Sequence, residues 1–248
     1  MLPFTLNGKT ILITGASSGI GKGIAIACAE ARAKCILIGR NRDRLLEAQN
    51  ECVGSGHEVE VVDITNESEM SSLIERLPQL DGVVQSAGIG DNHTPLKFIS
   101  SSFFDEIVAV NLKAPILFLA KLEKKKLLNK GSSIVFVSSI ASFHATPAHS
   151  LYCATKGGIT AFVKAAALDL AGKKIRVNAL APGMVNTPLI KFGSITEEQQ
   201  RINESRYPLK RYGEPADIAG AAVYLLSDAS CWVTGQQFVL DGGITIGG

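Results

Sequence analysis

Short apolar runs rich in Ile and Val alternate with longer amphipathic stretches along most of the chain. The runs Thr10–Thr14, Lys34–Gly39, Glu58–Asp63, Gly82–Ser86, Ser133–Ser138, Ile175–Ala179 and Gln237–Leu240 are nearly unbroken in apolar character. Strands buried on both faces read this way, because each side of the pleat meets a layer of helices. Between them, helical spacing predicts helices over Ile20–Ala33, Arg42–Val53, Glu67–Leu77, Ser101–Leu128, Leu151–Ala171 and Pro215–Leu226. Asp217 near the start of the last one suits the positive end of a helix dipole. The pattern predicts an α/β fold, a doubly wound parallel sheet of about seven strands with helices on both faces.

No Ser- or Gly-rich linker interrupts the alternation and no internal repeat is visible, so residues 1–248 are expected to form a single domain. The stretch 186–213 carries weak periodicity and several breakers, Pro188, Gly193, Pro208 and Gly213. A long connection after a strand at the carboxyl edge of an open sheet is where ligands bind, which predicts a substrate loop there.

Composition narrows the class. With 46% hydrophobic residues the chain has material for a large core, which excludes a disordered polypeptide. A formal net charge of +2 gives no global pull toward nucleic acid or membrane, and neither is expected as a partner. The cysteines Cys28, Cys35, Cys52, Cys153 and Cys231 contain no Cys-x-x-Cys, so no disulfide framework and no metal site are expected. The absence of signal-peptide features in Met1–Lys9, and of any apolar stretch approaching 18 residues, predicts a soluble, cytoplasmic protein.

The first predicted strand runs into Thr14-Gly15-Ala16-Ser17-Ser18-Gly19-Ile20-Gly21, then a helix. Glycines let such a turn approach a pyrophosphate, and free N–H groups at the helix start face the anion. The spacing is Gly-x-x-x-Gly-x-Gly, not the Gly-x-Gly-x-x-Gly of the common dinucleotide fingerprint. At the end of the second strand a carboxylate would hold the ribose 2′-hydroxyl of NAD, whereas an arginine would take the 2′-phosphate of NADP. The chain reads Gly39-Arg40-Asn41-Arg42, with no carboxylate before Asp43. A guanidinium pairs with phosphate at two points, so Arg40, with Asn41 beside it, favours NADP(H) over NAD(H). Arg42 could share or take over the contact.

Tyr152 and Lys156 stand at i and i+4, on one face of a predicted helix. A neighbouring cation favours phenolate and lowers a tyrosine pKa toward neutrality, so the pair suits acid/base chemistry.

Together these residues resemble the short-chain dehydrogenase/reductase family, over essentially the whole chain. The glycine turn is similar to that family's Thr-Gly-x-x-x-Gly-x-Gly, and Tyr152 with Lys156 to its active-site pair. The resemblance implies a Rossmann-like fold and further roles by position. Ser139, 13 residues before Tyr152, matches the catalytic serine, with Ser138 as the competitor, and Asn111 completes the tetrad. Pro182-Gly183-Met184-Val185-Asn186-Thr187 matches the segment against the nicotinamide, with Pro182, Gly183, Val185 and Thr187 as contacts; Asp63-Ile64 matches the pair beside the adenine. Where the family has Asn-Asn-Ala-Gly this chain has Gln85-Ser86-Ala87-Gly88. Ser86, Ala87 and Gly88 are still expected at the cofactor ribose, with weaker support of the central strand or a water in the gap.

The implied chemistry is reduction of a carbonyl to a secondary alcohol, with Tyr152 as general acid, Ser139 holding the oxygen, Lys156 lowering the phenol pKa and binding the ribose, and Asn111 holding a water. The branch most resembled reduces 3-oxoacyl groups on an acidic acyl carrier protein, whose thioester is the leading substrate. There, Lys121, Lys124, Lys125, Lys126 and Lys130, with Lys173 and Lys174, could dock the carrier at the site entrance. The alternatives are an NAD(P)-dependent dehydrogenase of a sugar, steroid or other small alcohol, and a dinucleotide-sensing scaffold without turnover. Family members of this length commonly form homotetramers through the helices around 101–128 and 151–171 and the C-terminal segment. Phe143, His144, Leu151 and Met184 are candidate pocket residues by position; His57, His93, His144 and His149 are expected on the surface or behind the site.

Overall fold

The computed structural model describes residues 4–91, 93–189 and 196–246. Seven parallel strands, in the order β3-β2-β1-β4-β5-β6-β7, form one sheet. They are β1 (Thr10–Thr14), β2 (Lys34–Gly39), β3 (Glu58–Val61), β4 (Leu80–Gln85), β5 (Leu128–Val137), β6 (Arg176–Pro182) and β7 (Gln237–Leu240). Among the described residues the α-helices are α1 (Gly19–Glu30), α2 (Arg42–Glu51), α3 (Glu67–Arg76), α4 (Ser101–Val108), α5 (Ala114–Lys124), α6 (Ser150–Leu170), α7 (Glu197–Ser205) and α8 (Pro215–Leu226).

The unbroken apolar runs are explained by two cores. In β1, Leu12 faces one core with Phe118 of α5 and Ile159 and Val163 of α6. Its neighbours Ile11 and Ile13 face the other, with Ile24 of α1 and Ile218 and Ala222 of α8. Each such fully buried side chain contributes about 2 kcal/mol, so a strand loses little by having no polar face. The chain order reverses between β1 and β4, which pair directly. Their carboxyl ends form the crevice in which an open α/β sheet places its ligands.

Three features depart from the sequence expectation. The predicted helix Ser101–Leu128 is two helices joined by one wider, π-helical turn, Ala109–Lys113, and it ends at Lys124 because Lys126 turns left-handed (φ 57°) before β5. The loop 186–213 contains α7, started by Thr196, whose hydroxyl accepts from Gln199 N–H; residues 190–195, including Gly193, lie outside the described residues. Both ends of that loop are tied together. Asn186 N–H donates to Gly213 O at 2.8 Å and Gly213 N–H to Met184 O at 2.9 Å. Arg211 forks onto Asp217 at 2.6 and 2.9 Å, which holds that carboxyl down at about 2.

Candidate active site

The glycines of the first turn are fixed by close approaches. At Gly15 (φ 67°) a Cβ would lie 2.9 Å from the Ala87 backbone, and at Gly21 one would lie 2.3 Å from Gly15 O. Either would force the β1–α1 turn away from its neighbours. Gly19 (φ 54°) sits where a Cβ would be 3.1 Å from Thr187, so the Pro182–Thr187 segment closes over the same turn. Ser18 precedes α1 in extended conformation with no side-chain cap bond. The first N–H groups of α1 thus face an open cradle, which fits a pyrophosphate.

Ala16 N–H donates to Ile38 O at 3.1 Å and pins the turn to β2. Beyond β2, Arg40 is 73% exposed and stands 3.8 Å from Asp63, leaving the guanidinium open to a further anion. Burial raises the Asp63 carboxyl, but hydrogen bonds from Thr65 and the charge of Arg40 outweigh it and hold the group below its usual range. Asn41 caps α2 by accepting from Arg44 N–H, so its side-chain oxygen is already engaged. Ile64 and Val185 are buried in the two cores, so a cofactor would meet their backbone. Pro182 ends β6, and a Cβ on Gly183 would come within 3.1 Å of Asp241.

The expected weakness at Ser86 is met by Thr14. Its hydroxyl accepts from Ser86 N–H at 3.1 Å and Ala87 N–H at 3.3 Å, tying the end of β4 to β1. Gln85 Nε2 is buried and has no hydrogen-bond partner among the described residues.

Tyr152 and Lys156 lie on α6, with Lys156 Nζ 5.5 Å from the centre of the Tyr152 ring. Ser139 begins the turn after β5, accepts from Ala141 N–H at 3.1 Å, and stands close enough to the Tyr152 phenol to oppose the rise in its pKa. Ser138 is buried, bonded to Lys156 O and Thr160 Oγ1, and faces away from this chemistry. The geometry thus selects Ser139. Asn111 lies in the π-helical turn, buried, its amide paired reciprocally with the Ile89 backbone at 2.8 Å in both directions. A Cβ on Gly88 would be 3.3 Å from Asn111 Oδ1 and 3.6 Å from Lys156 Nζ, so all three positions meet.

Burial pushes the Tyr152 phenol up to about 12, with Asp91 and Cys153 adding to the rise and Ser139 opposing it. Lys156, donating to Val137 O at 3.0 Å, is itself pushed down to about 8 by burial. Between pH 8 and the ordinary 10.5 the unfolded chain therefore holds more protons at this lysine, and its contribution to stability rises with pH. Buried Cys28, Cys35 and Cys52 are raised above 9.0 and act oppositely at higher pH. Over about pH 7 to 9, the Tm of the wild type is expected to gain on that of Lys156→Met. Parallel Tm profiles would contradict the assignment.

The lysine cluster lies at the wrong edge to border the entrance. Lys121 and Lys124–Lys126 end α5 and precede β5, at the opposite end of that strand from Ser139, and Lys130 lies near the start of the strand, before its register shift. Lys173 and Lys174 similarly precede β6. Lys125 pairs with Glu75 at 2.6 Å, Lys173 pairs with Glu123, and Lys121 donates to Ser71. Of the positional pocket candidates, Phe143 and His144 are exposed, Met184 is half-buried and Leu151 is buried. At the end of the 186–207 stretch, also a pocket candidate by position, the Tyr207 hydroxyl accepts from Met184 N–H at 3.2 Å and its ring stacks edge-on with Tyr212, anchoring the loop. No spacing in the sequence signals the contact of Asp91 with His149, 58 residues away.

A glycine cradle at a switch point, beside a Ser–Tyr–Lys constellation, defines a dinucleotide-dependent oxidoreductase. Comparisons with known proteins agree. The family described as enoyl-(acyl carrier protein) reductase matches residues 15–245. The 3-oxoacyl-[acyl-carrier-protein] reductase FabG of Rickettsia felis is 33% identical over 96% of this chain and 98% of its own. The solved structure of a candidate gluconate dehydrogenase from Agrobacterium tumefaciens superposes with a TM-score of 0.92 at 29% identity, covering 99% of both chains. A candidate NAD(P)-dependent gluconate 5-dehydrogenase from Beutenbergia cavernae, with NADP bound, gives 0.88 at 32% identity, over 98% of this chain and 99% of its own. The chain belongs to the short-chain dehydrogenase/reductase family.

Proposed function

We propose that the protein is an NADP(H)-dependent reductase that converts a ketone to a secondary alcohol, with residues 1–248 acting as one unit and the 186–213 segment as its substrate loop. The observation that carries this reading is the buried Lys156 Nζ 5.5 Å from the Tyr152 ring on one helix, with Ser139 at the head of the turn beside the phenol. When bound, the nicotinamide supplies the hydride. Tyr152, kept protonated by its raised pKa, gives its proton to the carbonyl oxygen, and Ser139 donates a hydrogen bond to the same oxygen as charge develops. Lys156 presents its ammonium to the ribose and the phenol, and Asn111 fixes the Ile89 backbone beside it, with a free lone pair for a water. Gly15, Ser17, Ser18, Gly19, Ile20 and Gly21 would hold the pyrophosphate, Arg40 the 2′-phosphate, and Asp63 with Ile64 the adenine. Ser86, Ala87 and Gly88 would line the ribose, and Pro182, Gly183, Val185 and Thr187 the nicotinamide.

Two substrate readings stand. A 3-oxoacyl thioester is supported by the Rickettsia relative; docking of its carrier would need a surface other than the lysine cluster. A small hydroxylated ketone is favoured by the polar pair Asp91 and His149 beside Tyr152. NADPH oxidation against a 3-oxoacyl thioester, a quinone, a keto sugar and a steroid ketone separates them. No response to the thioester removes the first reading, and no response to any ketone removes the reductase.

We further propose a homotetramer through α4, α5, α6 and the C-terminal segment. Leu168 on α6 is 80% exposed, Trp232 98% and Ile246 89%, and uncovered apolar side chains of this size mark association surfaces. Light scattering is expected to give the mass of four chains; a monomer mass would refute it.

A further inference from the structure

The proton-transfer set leaves one cluster of titratable groups beside it unused. Asp91, in the loop after β4, is 2% exposed. Its Oδ1 lies 2.6 Å from His149 Nδ1, and its Oδ2 accepts from Tyr152 N–H at 3.4 Å. Among the described residues no Lys or Arg forms an ion pair with it. His149 immediately precedes α6, three residues before Tyr152, with its side chain 23% exposed. The His149 ring lies 6.5 Å from the Tyr152 ring, and His93 packs edge-on against it at 4.3 Å.

A carboxylate can only accept, so this contact places a proton on Nδ1 and fixes the ring plane. Nε2 is then the free position, and among the described residues no polar atom bonds it. Two buried or half-buried side chains thus fix one ring, packed beside that of Tyr152, whose second nitrogen is left without a partner among the described residues.

We propose that His149, oriented by Asp91, is a substrate-binding residue that pairs Nε2 with a hydroxyl on the carbon next to the reacting carbonyl. A hydroxyl both donates and accepts, so it satisfies Nε2 in either protonation state of the ring. Hydrogen bonds of about 2.8 Å from the phenol and from Nε2 can meet the two oxygens of one such substrate, given the ring separation. The substrate class is therefore an α-hydroxy ketone and, in reverse, a vicinal diol. This inference rests on Tyr152 being the proton donor and specifies the substrate of that same site.

The test compares 2-hydroxycyclohexanone with cyclohexanone, in wild type, His149→Leu and Asp91→Asn. Asp91→Asn keeps the shape but lets the amide donate to Nδ1, which moves the ring proton and undoes the aim. The wild type is expected to prefer the hydroxy ketone in kcat/KM by about tenfold or more. Both variants are expected to lose that preference, read as the ratio of the two kcat/KM values, because Asp91→Asn also removes a charge that raises the Tyr152 phenol and so changes both rates together. His149→Gln, which keeps a polar tip, is expected to restore part of it. Calorimetric binding of the same two ketones to NADP⁺-saturated protein reads the preference without turnover, so failure of Tyr152 as the acid is distinguished from failure of His149 as the binder. No preference in the wild type, or equal losses on both ketones in the variants, overturns the proposal; equal losses would leave the pair as a brace for the start of α6.

Discussion

Tyr152→Phe is expected to lower kcat for ketone reduction by roughly 1,000-fold while NADPH affinity stays within about threefold of wild type. In the proposed mechanism the phenol gives the proton, and Ser139 and Lys156 stand beside it. Its removal leaves the glycine cradle and Arg40 untouched, because those sit on the β1–α1 turn and beyond β2. Steady-state kinetics with NADPH fluorescence titration checks both halves. Full retention of turnover would remove Tyr152 from the chemistry. If the wild type itself has no turnover, the sensing scaffold becomes the better account, since a sensor needs the cradle but not the proton donor.

The second large effect is expected at the cofactor's adenosine end. Arg40→Asp replaces a largely exposed guanidinium with a carboxylate beside Asp63. The bidentate phosphate contact proposed for Arg40 would become repulsion between like charges. NADPH affinity is expected to fall about 100-fold, equivalent to nearly 3 kcal/mol, while NADH affinity moves by less than about threefold. Equal shifts for both dinucleotides would take Arg40 out of the phosphate site.

The strands were legible because burial on both faces leaves a continuous apolar run, as in Ile36-Leu37-Ile38. The glycine turn was legible because few arrangements other than Gly tolerate backbone within 3 Å. Arg176 is buried at the head of β6 and escaped the apolar pattern; it bonds Leu225 O, Ser227 O and Ser230, capping the carboxyl end of α8. Spacing favours Ser139 over Ser138, and spacing alone does not show that Ser138 is turned inward onto Lys156 O and Thr160 Oγ1. The break at Asn111 was not legible, since the periodicity on either side continues through the wider turn.

Sequence was least informative where distance along the chain hides neighbourhood. The lysines 121–130 were visible as a charge run, but only the direction of β5 shows that they gather toward the end of that strand opposite Ser139. Asp91 and His149 carry no spacing that links them, yet the fold sets them 2.6 Å apart beside Tyr152. The phenol pKa depends on burial, which a Tyr-x-x-x-Lys motif does not encode; burial pushes it up to about 12.

The central claim is direct hydride transfer to a ketone at the Tyr152 site, and isotope transfer tests it most directly. Wild-type protein is supplied with NADPH carrying deuterium at the transferable position and with the ketone panel, and products are read by NMR and mass spectrometry. The account predicts deuterium on the new carbinol carbon of at least one product, with the signal all but abolished in Tyr152→Phe. Tight NADPH binding with no deuterium in any product would contradict it.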